Sequence, residues 1–301
     1  MTGALDYVLH VADCISLLII LPGYMFILVV NIQDWMKNKK LDVSDQLISG
    51  LGLLSLIHRL FQVSFRCTVL RHGFTMITSF AWLVIDITYL TLIFCTLLFS
   101  TWLSIHFCLK IVTLNNKLYI YIQRMFPKVF PWILLPSILA SLLVSGPAAQ
   151  SMSKQYSNYT VFQNPSASPL KTFLPVKLYF VVSSLCFLIF LTSALVTVVS
   201  MYRHIHHMQN NSSNFRSESV EAHVTAVKTL LSLLTFNLLY FASVVVTIED
   251  YGRLQWMYIL LLVYSLCHVL SILTLIRGSI KLQKKLHALW LGFPCFKRSS
   301  G

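Results

Sequence analysis

Charged side chains are scarce in this chain. Only 11% of its 301 residues are Asp, Glu, Lys or Arg, against about 25% in a typical soluble domain. Hydrophobic residues make up 56% of the sequence, and the mean hydropathy is +0.73. This composition excludes an ordinary soluble domain and predicts an integral membrane protein. The formal charge of +13 does not indicate a nucleic-acid partner, because the basic residues are not clustered in a soluble domain.

Patterns typical of metal or cofactor sites are also missing. The seven cysteines are scattered, mostly inside apolar runs, and no CxxC pair occurs. The run 203–207 holds three histidines without the carboxylate or cysteine support of a metal site. We therefore expect no metal and no cofactor. Residues 1–10 lack the basic start and cleavage pattern of a signal peptide, so we expect the apolar run 14–30 to direct membrane insertion itself.

The chain contains long apolar segments. About 20 apolar residues suffice for a helix to cross the roughly 30 Å hydrocarbon core of a bilayer. The sequence therefore predicts an all-α membrane protein, a bundle of seven transmembrane helices forming one domain over residues 1–301. The second segment is the weakest, because His58 and Arg59 interrupt it. The seven segments are residues 7–32, 43–65, 77–110, 129–149, 173–201, 224–248 and 254–276.

The third segment carries the most informative polar residue. Before Lys110 its only acidic or basic side chains are Asp86 and His106, and it has no Gly or Pro. From Asp86 to Lys110 a helix spans about 36 Å at ~1.5 Å per residue, so we expect a tilted helix whose ends reach both headgroup layers. Asp86, Tyr89 and Ile93 share one helical face. A buried acid in a membrane is costly unless it faces a cavity or a partner, so this face is expected to border a polar space.

Basic residues are distributed asymmetrically between the loops. Sixteen of the 23 fall on one side of the predicted membrane and six on the other, with Arg59 inside the second helix. Because cytoplasmic loops are enriched in Lys and Arg, we predict an extracellular N-terminus and a cytoplasmic C-terminus in a multi-pass plasma-membrane protein. The residues assigned to the cytoplasmic side are Lys37, Lys39, Lys40, Lys110, Lys117, Arg124, Lys128, Arg203, Arg216, Lys228, Arg277, Lys281, Lys284, Lys285, Lys297 and Arg298.

An amphipathic pattern follows the seventh segment. Apolar positions there alternate with Lys281, Lys284, Lys285 and His287. The pattern predicts a short interfacial helix over 278–292 that lies on the anionic lipids of the inner leaflet. Residues 293–301 would then form a cytoplasmic tail.

A glycosylation sequon lies between the fourth and fifth segments. Asn158, Tyr159 and Thr160 form it within a predicted outer loop at about 150–172. On an extracellular loop such a sequon is accessible to the glycosylation machinery. We therefore predict that Asn158 is glycosylated.

Local motifs make the chain recognisable. Over nearly its whole length, and in the same order, they resemble those of the bitter taste receptors (taste receptor type 2), a family of G-protein-coupled receptors. The motifs are VNIQDWMK at 30–37 with Lys40-Leu41 and Ser44-Asp45, Leu109-Lys110-Ile111, SMYRH at 200–204 with Met208-Gln209, AHV at 222–224 leading to KTLLS at 228–232, and Gly278 with Lys281-Leu282.

The resemblance implies a receptor for bitter-tasting small molecules, not an enzyme. The ligand would bind in the extracellular half of the bundle, and a heterotrimeric G protein of the gustducin or inhibitory type would bind the cytoplasmic side. In the family the third, sixth and seventh helices line the ligand site. The corresponding positions here are Asp86, Tyr89, Ile93, Tyr240, Val244, Leu261 and Tyr264.

Asp86 is the residue of this set with the most specific chemistry. Its carboxylate suits a cationic amine, with Tyr89 and Tyr264 supplying aromatic faces. The alternatives are that Asp86 pairs with a neighbouring basic side chain or reaches water at the outer leaflet.

Two further sites follow from the resemblance. Arg59 is an intramembrane cation that needs a partner, and with Ser55 and His268 it would form a polar latch between the first, second and seventh helices. The cytoplasmic ends of the third, fifth and sixth helices would form a cleft for a G-protein helix, unless their basic residues are only a solvated ring. The residues of this cluster are Lys110, Arg203, His204 and Lys228.

The chain departs from the family pattern inside the membrane. Tyr24 stands where the first helix usually has Asn, and Ser55 where the second has Arg. Tyr89 and Ile93 stand where the third helix has Trp and Asn, and a Pro is missing near His268. The chain therefore resembles a divergent member, in which the family's polar contacts are not carried over at these positions.

Other functions remain as alternatives. Vomeronasal type 1-like pheromone receptors share the architecture but match the inner motifs less well. A small-solute transporter or channel would need paired midplane charges, broken helices or internal repeats. The sequence shows no repeat and has only Arg59, Asp86 and His106 at membrane depth. An intramembrane enzyme would need a nucleophile–base pair or a metal set, and we find neither.

Overall fold

The computed structural model describes residues 2–72, 78–112, 117–160, 169–211, 231–232, 234–239, 241–242 and 254–292. Its secondary structure in these ranges is helical, without a strand, as the apolar segments predict. The helices are α1 Thr2–Asn38, α2 Val43–His72, α3 Ser79–Ile111, α4 Lys117–Thr160, α5 Pro169–Asn211, α6 Leu254–Gly278 and α7 Ile280–Gly292. Most of the sixth apolar segment, 224–248, lies outside the described residues.

Five of these helices are long and apolar enough to cross a membrane. Their outward faces carry large apolar side chains, of which Leu18, Trp132 and Leu143 are 73%, 81% and 76% exposed. Exposed apolar surface of this kind marks a membrane or interaction surface. The candidate spans are Cys14–Asn38, Val43–Phe65, Phe80–Ile111, Lys117–Ser153 and Leu174–Arg203, and Leu266–Gly278 adds a shorter apolar helix.

Several helices are longer than the apolar segments predict. The 44 residues of α4 extend about 66 Å at ~1.5 Å per residue, well beyond the roughly 30 Å hydrocarbon core. The helix continues to Thr160, so the predicted loop 150–172 is wrong in its first half. Hydropathy marks only the part of a helix that lipid surrounds, whereas backbone hydrogen bonding continues past it.

Side-chain caps fix two of the helix starts. Asp42 precedes α2, and its carboxylate Oδ1 accepts a hydrogen bond from Val43 N at 3.0 Å. Thr78 precedes α3 and accepts one from Ala81 N at 3.3 Å. Such caps satisfy backbone N–H groups that have no partner within the helix. Lys39, with φ 53°, donates its N–H to Trp35 O and ends α1.

The chain forms two compact units, residues 1–53 with 194–301 and residues 54–193. In the first unit, α1 packs against α6 and the short helix α7 contacts both. In the second, α3 packs along α4. Hydrogen bonds also join α3 to α5, among them Ser193 Oγ to Ser104 Oγ at 2.8 Å. The single domain over 1–301 stays a prediction.

Close packing of α1 on α6 depends on a glycine. A Cβ atom at Gly23 would lie 2.6 Å from Ile272 Cγ2, a methyl group that is fixed near its own backbone. A second glycine, Gly52, gives room to the ring of Tyr24, whose Cδ1 would lie 3.3 Å from an added Cβ. Small residues at helix interfaces allow this approach in membrane proteins.

We predict that Gly23→Ala destabilises the protein by about 1–3 kcal/mol through overpacking. Thermal unfolding of the purified protein in detergent would measure the loss, and the additional change Ile272→Ala should reduce it. The matched control is Gly146→Ala in α4, where an added Cβ meets nothing within 4 Å. Equal effects of the two alanines would contradict this account of the α1–α6 contact.

Candidate ligand-binding site

Asp86 lies on α3 and is 8% exposed. One turn later, the Tyr89 ring meets the edge of the His58 ring from α2, with centroids 5.4 Å apart and an interplanar angle of 72°. Ile93, one further turn along, is 4% exposed. As the sequence predicted, these three residues share one face of α3. A carboxylate, an aromatic ring and an aliphatic side chain therefore lie in line along it.

The Asp86 carboxylate is incompletely satisfied. Its Oδ2 atom is buried and makes no hydrogen bond to the part of the chain that the structure describes. Burying a charged oxygen without a partner costs several kcal/mol. An incoming cation or hydrogen-bond donor would remove this cost, so the arrangement is suited to a polar ligand group.

Aromatic residues of α5 and α2 extend this region. Tyr179 of α5 is 1% exposed, and its hydroxyl donates to Leu90 O at 3.2 Å. Its ring lies 5.9 Å from that of Phe94. Near the start of α3, the ring of Trp82 contacts that of Phe65 of α2, with centroids 5.7 Å apart. The region is mostly apolar with few polar groups, which is the usual character of a small-molecule site.

Tyr179 was not among the predicted ligand residues, which lie on the third, sixth and seventh predicted crossings only. A tyrosine early in an apolar segment was the available signal, because its hydroxyl, once buried, requires a hydrogen-bond partner.

The remaining predicted ligand residues are less well defined. Tyr240 and Val244 lie outside the described residues. Leu261 and Tyr264 lie on α6, in the first compact unit, whereas Asp86 lies in the second. Their participation in one site with Asp86 stays a prediction.

The polar latch residues occupy two different environments. Ser55 and Arg59 are buried on α2, and Arg59 Nη1 donates to Gln62 Oε1 at 3.0 Å. His268 lies on α6, and its Nδ1 is 3.4 Å from the Tyr24 hydroxyl of α1. Neither Gln62 nor Tyr24 was predicted as a partner. Gln62 stands three residues after Arg59 on the same helix, and this spacing was the available signal. Tyr24 and His268 are 244 positions apart, and no local pattern marks their contact.

Tyr24 makes a polar contact of its own at the position where the family usually has Asn. From the sequence it was only a departure from the family pattern. In the structure its ring is 1% exposed, fits beside Gly52, and brings its hydroxyl to His268. The first and seventh predicted crossings are therefore joined by a longer side chain from α1.

The predicted G-protein cluster is only partly described. Lys110 lies exposed in the last turn of α3, and Arg203 is exposed on α5. His204 follows on the same helix, while Lys228 lies outside the described residues. The grouping of these residues around one cleft stays a prediction.

An ion-pair cluster that the sequence did not reveal joins α1, α2 and α7. Lys281 Nζ lies 2.7 Å from Asp34 Oδ2 and 2.8 Å from Asp45 Oδ2, and it donates to Asn31 Oδ1 at 2.9 Å. Lys285 Nζ lies 3.1 Å from Asp34 Oδ1. Two of the four basic residues predicted to meet lipid headgroups, Lys281 and Lys285, are thus paired with protein carboxylates. The position of the helix on the inner leaflet stays a prediction.

The electrostatics of this cluster keep Lys281 charged. Partial burial of the ammonium acts to lower its pKa, but the hydrogen bonds to Asp34 and Asp45 and their negative charges outweigh it. The pKa of Lys281 is therefore raised above its ordinary value. The stabilisation is therefore present at neutral pH and is lost in alkaline solution as Lys281 deprotonates. It is also lost in acid as Asp34 protonates, because the hydrogen bond from Lys281 lowers the pKa of Asp34.

Comparison with known proteins gives one consistent result. The family model for "Taste receptor protein (TAS2R)" matches residues 1–292. The chain is 26% identical over 230 residues to taste receptor type 2 member 2 of Homo sapiens, with 72% of this chain and 73% of the relative covered. It is 28% identical over 243 residues to member 41 of Mus musculus (73% and 74% covered). It is 27% identical over 249 residues to member 7 of Gorilla gorilla gorilla (76% and 74%).

Proposed function

Because the chain belongs to the taste receptor (TAS2R) family, we propose that it senses extracellular bitter small molecules and activates a heterotrimeric G protein of the gustducin or inhibitory type. The ligand binds in the extracellular half of the helix bundle and favours a conformation whose cytoplasmic side is open. The G protein prefers the same conformation, so each partner raises the affinity for the other. The family match over residues 1–292 is the observation that carries this proposal.

The proposed topology has seven crossings and an extracellular N-terminus in the plasma membrane. Five described helices long enough to span, and the apolar α6, support the count. The excess of basic residues in alternate loops supports the orientation, because Lys and Arg are retained on the cytoplasmic side. The orientation places Asp86 towards the outside and Lys110 towards the cytoplasm.

The proposed ligand site is centred on Asp86, Tyr89 and Ile93, with Tyr240, Val244, Leu261 and Tyr264 as the family-derived positions. The buried Asp86 Oδ2, without a hydrogen-bond partner among the described residues, supports a ligand that brings a cation. Tyr89, one turn from Asp86 on the same face of α3, supplies ring surface, and its ring contacts that of His58. An ammonium group near a carboxylate and an aromatic face gains from both.

The proposed coupling surface is the basic cluster Lys110, Arg203, His204 and Lys228. The exposure of Lys110 and Arg203 supports a surface role. Ser55, Arg59 and His268 act in this proposal as the latch that holds the crossings together. Burial of Arg59, with 1% exposed, supports that role, because an intramembrane cation is retained only with polar partners.

A cell assay tests the function directly. Cells that express the chain with a gustducin-like G protein should show G-protein activation by at least one member of a panel of bitter compounds. Arg203→Glu should reduce this activation, and Lys177→Glu, the same charge change at an exposed outer position of α5, should not. Ligand-dependent ion flux without G-protein activation would instead identify a channel or transporter.

Asp86→Asn should separate agonists by charge. For a cationic agonist we expect a loss of roughly 2 kcal/mol or more, which is about thirtyfold in potency, because the ammonium loses its buried counter-charge. Neutral agonists should keep their potency. Thr88→Val is the control, since the Thr88 hydroxyl donates to Val84 O within the same helix at 2.8 Å. Equal losses for charged and neutral agonists would rule out the amine site.

Glycosylation of Asn158 provides a separate check on topology. The sequon lies at the end of α4, which extends to Thr160. If this end is extracellular, Asn158→Gln should abolish the gel-mobility shift that an endoglycosidase removes from the native chain. Two overlapping sequons, at Asn210 and Asn211, fall in the predicted cytoplasmic region between the fifth and sixth segments, and changing both asparagines to Gln should leave the shift unchanged. The opposite pattern would invert the proposed orientation.

A further inference from the structure

The start of α7 is held by two sets of contacts within the first compact unit. Ser279 caps the helix, since its hydroxyl accepts from Leu282 N at 3.4 Å and its carbonyl accepts from Gln283 N at 3.0 Å. The Gln283 side-chain amide also donates to Arg277 O. Leu282 is 2% exposed. These local contacts set where α7 begins, and Lys281 ties it to distant parts of the chain.

Lys281 is surrounded by oxygen atoms from two other helices. Asp34 and Asn31 come from the last turns of α1, and Asp45 comes from the first turn of α2. The Asn31 side chain is itself held, because its Nδ2 donates to Ser49 Oγ at 2.8 Å and Ser49 Oγ donates to the Asp45 backbone carbonyl at 2.7 Å. The ammonium uses its three donors on the Asp34, Asp45 and Asn31 oxygens.

The charges of the cluster cancel. Two ammonium groups, Lys281 and Lys285, face two carboxylates, Asp34 and Asp45. The Lys281, Asp34 and Asp45 side chains are 28%, 24% and 23% exposed, so solvent screens them less than it screens a fully exposed pair. Lys284 differs, because it is exposed and makes no ion pair with any residue that the structure describes. Of the four basic residues in the amphipathic pattern, Lys284 and His287 are consequently left for attraction to anionic lipid.

We propose that Lys281 is a positioning residue that seats α7 on the ends of α1 and α2, so that protein carboxylates, not anionic lipid, determine where α7 lies. The seat is a contact within the chain and does not depend on a ligand. Its consequence for G-protein coupling rests on the proposed function, because α7 and the coupling surface are both assigned to the cytoplasmic side.

Amide hydrogen exchange of residues 280–292 tests the seat without any agonist or G protein. The full chain would be compared in nanodiscs of phosphatidylcholine alone and of phosphatidylcholine with phosphatidylserine. Protection of α7 in the native chain should be the same in both. Lys281→Glu should lower it about five- to tenfold in both, because an ion-pair network is replaced by repulsion between three carboxylates.

Matched variants separate the seat from general effects of charge. Lys284→Glu makes the same charge change three residues away and should leave the protection of 280–292 unchanged. Lys281→Arg should retain most of it. If Lys281→Glu also increases exchange in α3 and α4, the milder Asp45→Asn provides the local test and must still reduce protection of α7 alone.

Two results would overturn the proposal. One is protection of α7 in the native chain that falls when phosphatidylserine is removed. The other is a loss of protection that does not follow the ion pairs, seen as equal loss in Lys281→Glu and Lys284→Glu or as no loss in Asp45→Asn. Agonist-evoked G-protein activation, normalised to surface expression, then measures the consequence for coupling. If the position of α7 does not depend on lipid but the chain does not respond to bitter compounds, the proposal for Lys281 stands and the receptor function is rejected.

Discussion

The constraint on which this structure depends is that a polar group in hydrocarbon must find its hydrogen-bond partner inside the protein. Hydroxyl groups in the apolar helices meet it by donating to the carbonyl one turn earlier, as Thr96 does to Leu92 and Ser141 to Ser137, both at 2.8 Å. Other polar groups bridge helices, as the Trp102 indole N–H does when it donates to Ser137 Oγ at 3.2 Å. A buried polar atom without a hydrogen-bond partner is therefore a candidate for binding a ligand.

A partly buried charge outside the candidate spans also needs a partner, so Asp86, inside a span, and Lys281, on the short helix α7, can be compared. The Lys281 ammonium has three oxygen partners from α1 and α2, and its role is consequently to hold elements together. The buried Asp86 Oδ2 has no partner among the described residues, and its role is consequently sought in a ligand. The same rule therefore distinguishes a structural charge from a candidate recognition charge within one chain.

Hydropathy and motifs predicted the helical membrane class, the family and the shared face of Asp86, Tyr89 and Ile93. They could do so because these properties repeat at short spacing along the chain. The Lys281 cluster joins residues 236 and 250 positions apart, and no local pattern specifies such a contact. The contact between Tyr24 and His268 was missed for the same reason, and because a ring replaces the smaller Asn only where Gly52 leaves room.

The central claim is that this apolar bundle presents its Asp86 end to the exterior and its basic end to a cytoplasmic G protein. Epitope tags at the two termini test it most directly, by antibody labelling of intact and permeabilised cells. The account predicts that the N-terminal tag is labelled on intact cells and the C-terminal tag only after permeabilisation. An N-terminal tag that requires permeabilisation would place Asp86 towards the cytoplasm and contradict the account.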